Sequence, residues 1–164
     1  MKFYEQYPMM KPHVGSKYGC GNAPRLLLIG ESHYLPDEAT QHLDTETWYG
    51  KNSSTLNPEE KDHIDTAGVV KSACDENFAN PSFSIFANSF WEINENGPHF
   101  PEYKHVADHV VFYNFFLRPG LNGESLKATP KDVEFANQAF NFLISVEPQL
   151  PAPGGNDRPV RLMW

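Results

Sequence analysis

Cysteine is scarce in this chain: only Cys20 and Cys74 occur in 164 residues. They form neither a disulfide framework nor a CxxC pair, which excludes a stapled secreted scaffold. Free, reduced thiols in a cytoplasmic protein are expected. Long apolar runs are also missing. None approaches the roughly 18–20 residues of a membrane span. The opening MKFYEQYPMMKPHVG lacks the apolar region of a secretory signal. No membrane partner is therefore expected. Positive charge is in short supply, with Lys and Arg numbering 13 against 21 Asp and Glu, a net charge of −8. Phosphate binding draws on Lys and Arg, and no cluster of them is visible, so general attraction to nucleic acid is disfavoured. No HExxH occurs. His105 and His109 share an i, i+4 spacing, but a metal pair needs further ligands, so no metal and no cofactor are expected.

What is present suits one α/β domain. The chain is 40% hydrophobic and 13% aromatic, enough to bury a core and unlike a disordered composition. Residues 1–24 hold Pro8, Pro12, Gly15, Gly19, Gly21 and Pro24 and read as an irregular leader anchored by Phe3, Tyr4, Tyr7 and Tyr18. Leu26 to Ile29 is a continuous apolar run closed by Gly30, the pattern of a strand buried on both faces. HVVFYNFFLRPG holds a second strand over residues 110–117.

Three helices are expected to begin at one device, a capping side chain before a proline: Asn57-Pro58, Asn80-Pro81 and Thr129-Pro130. The first would cover residues 58–74, with Ile64, Ala67, Val70 and Cys74 on one face. The second would cover 81–93, with Phe83, Phe86, Phe90 and Trp91 as its apolar side. The third would cover 130–146, with Val133, Ala136, Phe140, Leu143 and Ile144 at helical spacing and Asp132 in its first turn. Between strand and helix, residues 35–56 read as a loop or short helix, with Trp48 and Tyr49 as core or as a lid. The expected architecture is a three-layer α/β domain over residues 1–150, with a short parallel sheet flanked by helices. Residues 151–164, PAPGGNDRPVRLMW, read as an irregular tail.

The chemistry gathers in GESHY. In open parallel α/β sheets, ligands collect at the carboxyl ends of strands, where Gly30 to Tyr34 lie. Asn114 and Arg118, near the end of the second strand, would share that crevice. Gly30 permits a turn or a close backbone approach. Glu31 can orient water or act as a general base. Ser32 is a cap, a hydrogen-bond donor or a nucleophile. His33 and Tyr34 shape the turn or touch a ligand. Asn114 sits inside an apolar strand, where a polar amide needs partners.

The order of these pieces resembles the uracil-DNA glycosylase superfamily, whose first strand ends in a motif such as GQDPYH, GINPG or GEAPG. LLLIGESHY stands in that place. Glu31 matches the glutamate of GEAPG, Ser32 falls where other forms carry aspartate or asparagine, and Tyr34 falls where the tyrosine of GQDPYH stands. VVFYNFFLRP resembles the next strand, with Asn114 at its base-reading asparagine. DVEFANQAFNFLISVEPQL resembles the following helix and its exit. The likeness covers residues 25–150. The family's late HPS motif is missing, His33 replaces the expected proline, and the four cysteines of its iron–sulfur branch are absent. The resemblance thus implies a divergent, C-terminally shortened member. It implies N-glycosidic hydrolysis in DNA repair, with Glu31 and Ser32 as catalytic residues. Gly30, His33, Tyr34 and Asn114 would bind a nucleobase, and single-stranded or damaged DNA would be the partner. A shortened sheet with an open edge would favour homo-oligomers.

A second resemblance is to the SGNH ester hydrolases, where an apolar strand ends in G-D-S and the serine is the nucleophile. Ser32 would attack an ester, with Gly30 and Asn114 as oxyanion contacts. That family needs a late D-x-x-H, and no histidine follows Asn114. A third reading is a non-catalytic binding domain.

Overall fold

The computed structural model describes residues 1–20, 25–75, 107–121, 124–146 and 161–163. The expected helix over 81–93, with its Asn80 cap and its four aromatic residues, lies outside them, as does His105. The described elements combine helices with small sheets, an α/β arrangement. They gather into two compact units.

One unit comprises Met1–Lys11, Glu31–Val69 and Asn114–Gln149. Its core is aromatic. Helix α1 (Phe3–Gln6) and a 3-10 turn at Pro8–Met10 bring Phe3, Tyr4, Tyr7 and Met10 inside. Helix α2 (Thr45–Gly50), capped by the Asp44 carboxylate, supplies Trp48 and Tyr49. Tyr7 stacks on Phe3 at 4.9 Å and on Trp48 at 4.6 Å, and Tyr49 stacks on Phe135 at 4.0 Å. Buried Tyr and Trp need partners for their polar tips. Tyr7 Oη donates to the Trp48 carbonyl at 2.9 Å, and Trp48 Nε1 donates to the Leu117 carbonyl at 3.0 Å. Trp48 and Tyr49 are therefore core, not a lid.

Asn57 starts helix α3 (Pro58–His63) with a full capping box: its side chain accepts from Glu60 N–H, and Glu60 returns a bond to Asn57 N–H. The single helix expected over 58–74 is two, because the chain breaks at Ile64 and resumes as helix α4 (Thr66–Asp75). Ile64, Val70 and Cys74 are buried as expected, but Ala67 is exposed. Helix α5 (Pro130–Val146) has the expected bounds. Its buried face is Ala136, Ala139 and Leu143, while Val133 and Ile144 face outward.

The other unit comprises Pro12–Gly30, Val70–Tyr113 and Leu150–Trp164. Its sheet holds β1 (His13–Val14), β2 (Leu26–Gly30), β4 (Val110–Asn114) and β6 (Arg161–Met163) in the order β1-β4-β2-β6. Strands β2 and β4 are adjacent, as expected. The fully buried run VVFYN ends at Asn114, three residues short of the expected end. The leader and tail, both expected to be irregular, each contribute a strand. Strand β1 pairs antiparallel with β4, and β6 pairs parallel with β2. Gly15, just after β1, runs so close to the segment leading into β4 that a Cβ there would overlap the Asp108 and Ala107 backbone. The Cys74 thiol is buried and its pKa is pushed up to about 11, by burial first and then by Asp75 and Asp108. No helix among the described residues is long and apolar enough to cross a membrane.

Candidate functional site

Residues 31–35 and 114–121, both in the first unit, are tied together by backbone. Phe116 N–H donates to the Glu31 carbonyl at 2.8 Å, and Gly120 N–H donates to the His33 carbonyl at 2.8 Å. Strand β3 (Tyr34–Leu35) then pairs parallel with β5 (Gly120–Leu121), Tyr34 opposite Gly120 and Leu35 opposite Leu121. The two polar segments expected to share a crevice are thus neighbours. Gly30 ends β2 and does not supply a left-handed turn; among the described glycines only Gly19 has positive φ, at 70°.

The four side chains after Gly30 divide into two kinds. Glu31 is exposed, and its carboxylate accepts from Tyr34 Oη at 3.2 Å. Tyr34 is partly exposed. Its phenol pKa is raised by partial burial first and then by the charge and bond of Glu31, which outweigh the opposing influence of Ser32. Ser32 is 6% exposed, and its hydroxyl forms no hydrogen bond of good geometry among the described residues. His33 is 4% exposed, with Nε2 3.0 Å from Thr66 Oγ1. Burial lowers the His33 pKa from 6.5 to about 4, against the opposing pull of the His63 backbone and Asp65. At neutral pH it is an uncharged ring holding the turn to the start of α4.

Asn114 is buried at the end of β4. Its amide offers both a donor and an acceptor, the pair needed to read a base edge. No three His, Cys, Asp or Glu side chains converge as metal ligands among the described residues. An ester hydrolase needs a histidine within reach of its serine. Among the described residues the Ser32 hydroxyl forms no hydrogen bond of good geometry, and the adjacent imidazole is directed to Thr66.

Arg118 does not join this group. It is buried and forms a bidentate pair with Asp132, Nε to Oδ1 and Nη2 to Oδ2, both at 2.8 Å. Its remaining bonds go to the His42 and Lys127 carbonyls. Asp132 also accepts from Tyr49 Oη and from the Thr129 N–H and hydroxyl. Burial pushes the Asp132 carboxyl up, but the Arg118 and Thr129 bonds outweigh it and hold the pKa below the usual carboxylate value. Asp132, expected only to complement a helix dipole, is the hub of a fully satisfied buried network. Beside it lies a pocket of about 220 Å³ whose lining includes His42, Leu43, Arg118, Leu121 and Leu126. Sequence reading missed both features; the one local hint was an arginine directly after an apolar strand.

The chain matches no known protein family, no curated protein and no solved structure.

Proposed function

We propose that the chain holds a nucleobase at the carboxyl end of β2 and hydrolyses its N-glycosidic bond, in the manner of the uracil-DNA glycosylase superfamily. The observation that carries this reading is the backbone tie between the GESHY and NFFLRPG segments through Phe116 and Gly120. It sets an exposed carboxylate and a buried amide on two segments bonded to each other. In this mechanism Glu31 orients a water and accepts its proton as the water attacks the sugar carbon. Asn114 pairs with the base edge, and the buried Ser32 hydroxyl donates to the ligand. The bond broken joins the sugar carbon to the base nitrogen, and the base leaves with that electron pair. Single-stranded DNA is the favoured substrate. Flipping a base from a duplex costs a few kcal/mol, and a chain of net charge −8 has few cations for the backbone contacts that would offset it.

The test is release of free base from uracil-containing single-stranded DNA. Wild type is expected to release base, and Glu31→Gln and Asn114→Ala to lose most of that activity. No release by wild type at any enzyme concentration would remove the catalytic reading and leave a binding domain.

A further inference from the structure

We propose that Tyr34 is a positioning residue for Glu31, and that residue 120 is glycine to seat the Tyr34 ring. The proposal rests on the reading of Glu31 as the carboxylate that orients water; it gives Gly120 a task and adds to Tyr34 one distinct from contact with the base.

An exposed glutamate is a poor instrument for holding a water. Its side chain samples several rotamers, whereas catalytic groups must be held to within about 0.5 Å. Tyr34 supplies the restraint, donating from Oη to Glu31 Oε2 at 3.2 Å. A partly exposed tyrosine needs its own support. Part comes from the backbone, because Tyr34 pairs with Gly120 in the β3–β5 ladder and the Gly120 N–H is fixed on the His33 carbonyl. The rest comes from the missing side chain at position 120. A Cβ there would lie 3.2 Å from Tyr34 Cε1, 3.4 Å from Cδ1 and 3.3 Å from the Glu124 carbonyl. Gly120 has no left-handed φ, so backbone conformation does not demand glycine. Space for the ring does. Alanine would push the ring aside by a few tenths of an ångström, and a 3.2 Å bond has little room to stretch.

The Tyr34 phenol, whose pKa is raised by partial burial first and then by Glu31, provides a readout independent of turnover. The experiment follows the Tyr34 phenol by NMR of ring-labelled tyrosine, with Tyr34→Phe identifying its signal. Glu31→Gln and Gly120→Ala are each expected to bring the phenol pKa down toward that of a free tyrosine. In parallel, base release from uracil-containing single-stranded DNA is measured. Tyr34→Phe is expected to lower kcat by on the order of tenfold with KM unchanged, and to add nothing when combined with Glu31→Gln. A phenol pKa that does not move in Glu31→Gln, with base release intact in wild type, overturns the positioning role alone. Absence of base release from wild type overturns the glycosidic reading, whatever the phenol does. If Gly120→Ala does not fold, Tyr34→Phe and Glu31→Gln still decide the matter, since neither adds bulk.

Discussion

Mild acid is expected to weaken this protein through one histidine. His33 has a native pKa of about 4 against an ordinary 6.5, chiefly because its ring is buried. Below pH 6.5 the unfolded chain takes up a proton that the native state refuses until about pH 4. The unfolded state therefore binds more protons in that window, and stability falls as pH falls. The contribution is fully present above pH 6.5 and is lost progressively down to pH 4. Each pH unit is worth about 1.4 kcal/mol for one group, so the loss reaches about 2 kcal/mol by pH 5 and about 3 kcal/mol by pH 4. The comparison is His33→Gln, whose amide can still reach Thr66 but cannot titrate. Urea unfolding of both proteins at pH 7.5, 6 and 5 gives the two slopes. The His42 pKa is also lowered, by burial first and then by Arg118, and its effect is common to both proteins, so it cancels. Wild type should lose about 2 kcal/mol more than the variant between pH 7.5 and 5. Parallel profiles, or a His33 ring resonance that titrates near 6.5, would refute the reasoning.

Removing one partner of the Arg118–Asp132 pair, as in Asp132→Asn or Arg118→Met, should cost about 3–5 kcal/mol by leaving a buried charge uncompensated. A urea midpoint within experimental error of wild type would show the pair to be dispensable. Gly15→Ala should destabilise the β1–β4 edge by about 1–3 kcal/mol, since its Cβ meets backbone that cannot swing away; hydrogen exchange at the Gly15 amide is the sensitive check, and unchanged protection would contradict it. Ser32→Ala should leave stability unchanged or raise it by about 1 kcal/mol, because it removes a buried hydroxyl that forms no hydrogen bond of good geometry among the described residues. Marked loss of stability in Ser32→Ala would mean that the hydroxyl has a structural partner.

Strands β2 and β4 were legible because continuous apolar runs closed by Gly or Asn have few other uses. Helices α3 and α5 were legible because Asn-Pro and Thr-Pro mark helix starts chemically. Strands β1 and β6 were not, because at two and three residues they exist through their partners rather than their own propensity. The break at Ile64 was hidden for a related reason. A helical spacing continued across it, and nothing local distinguishes one long helix from two short ones. At the candidate site, the sequence placed Glu31, Ser32, His33 and Tyr34 at a strand end but could not sort them by burial. The sorting depends on tertiary partners, with the His33 ring drawn in to Thr66 and the Tyr34 phenol turned out to Glu31. The Tyr49–Arg118–Asp132 network leaves no periodic trace, since its members lie up to 83 positions apart.

The sheet order has a consequence for the time course of synthesis. Strand β2 begins at Leu26, and its parallel neighbour β6 begins at Arg161. A ribosome adding about 5–20 residues per second emits the second roughly 7 to 27 seconds after the first. For that interval one edge of LLLIG waits for its neighbour, and an edge this apolar is the kind that pairs with whatever strand arrives. Yield in the cell is therefore expected to depend on the speed of elongation through residues 31–160 and on chaperones that shield β2 meanwhile.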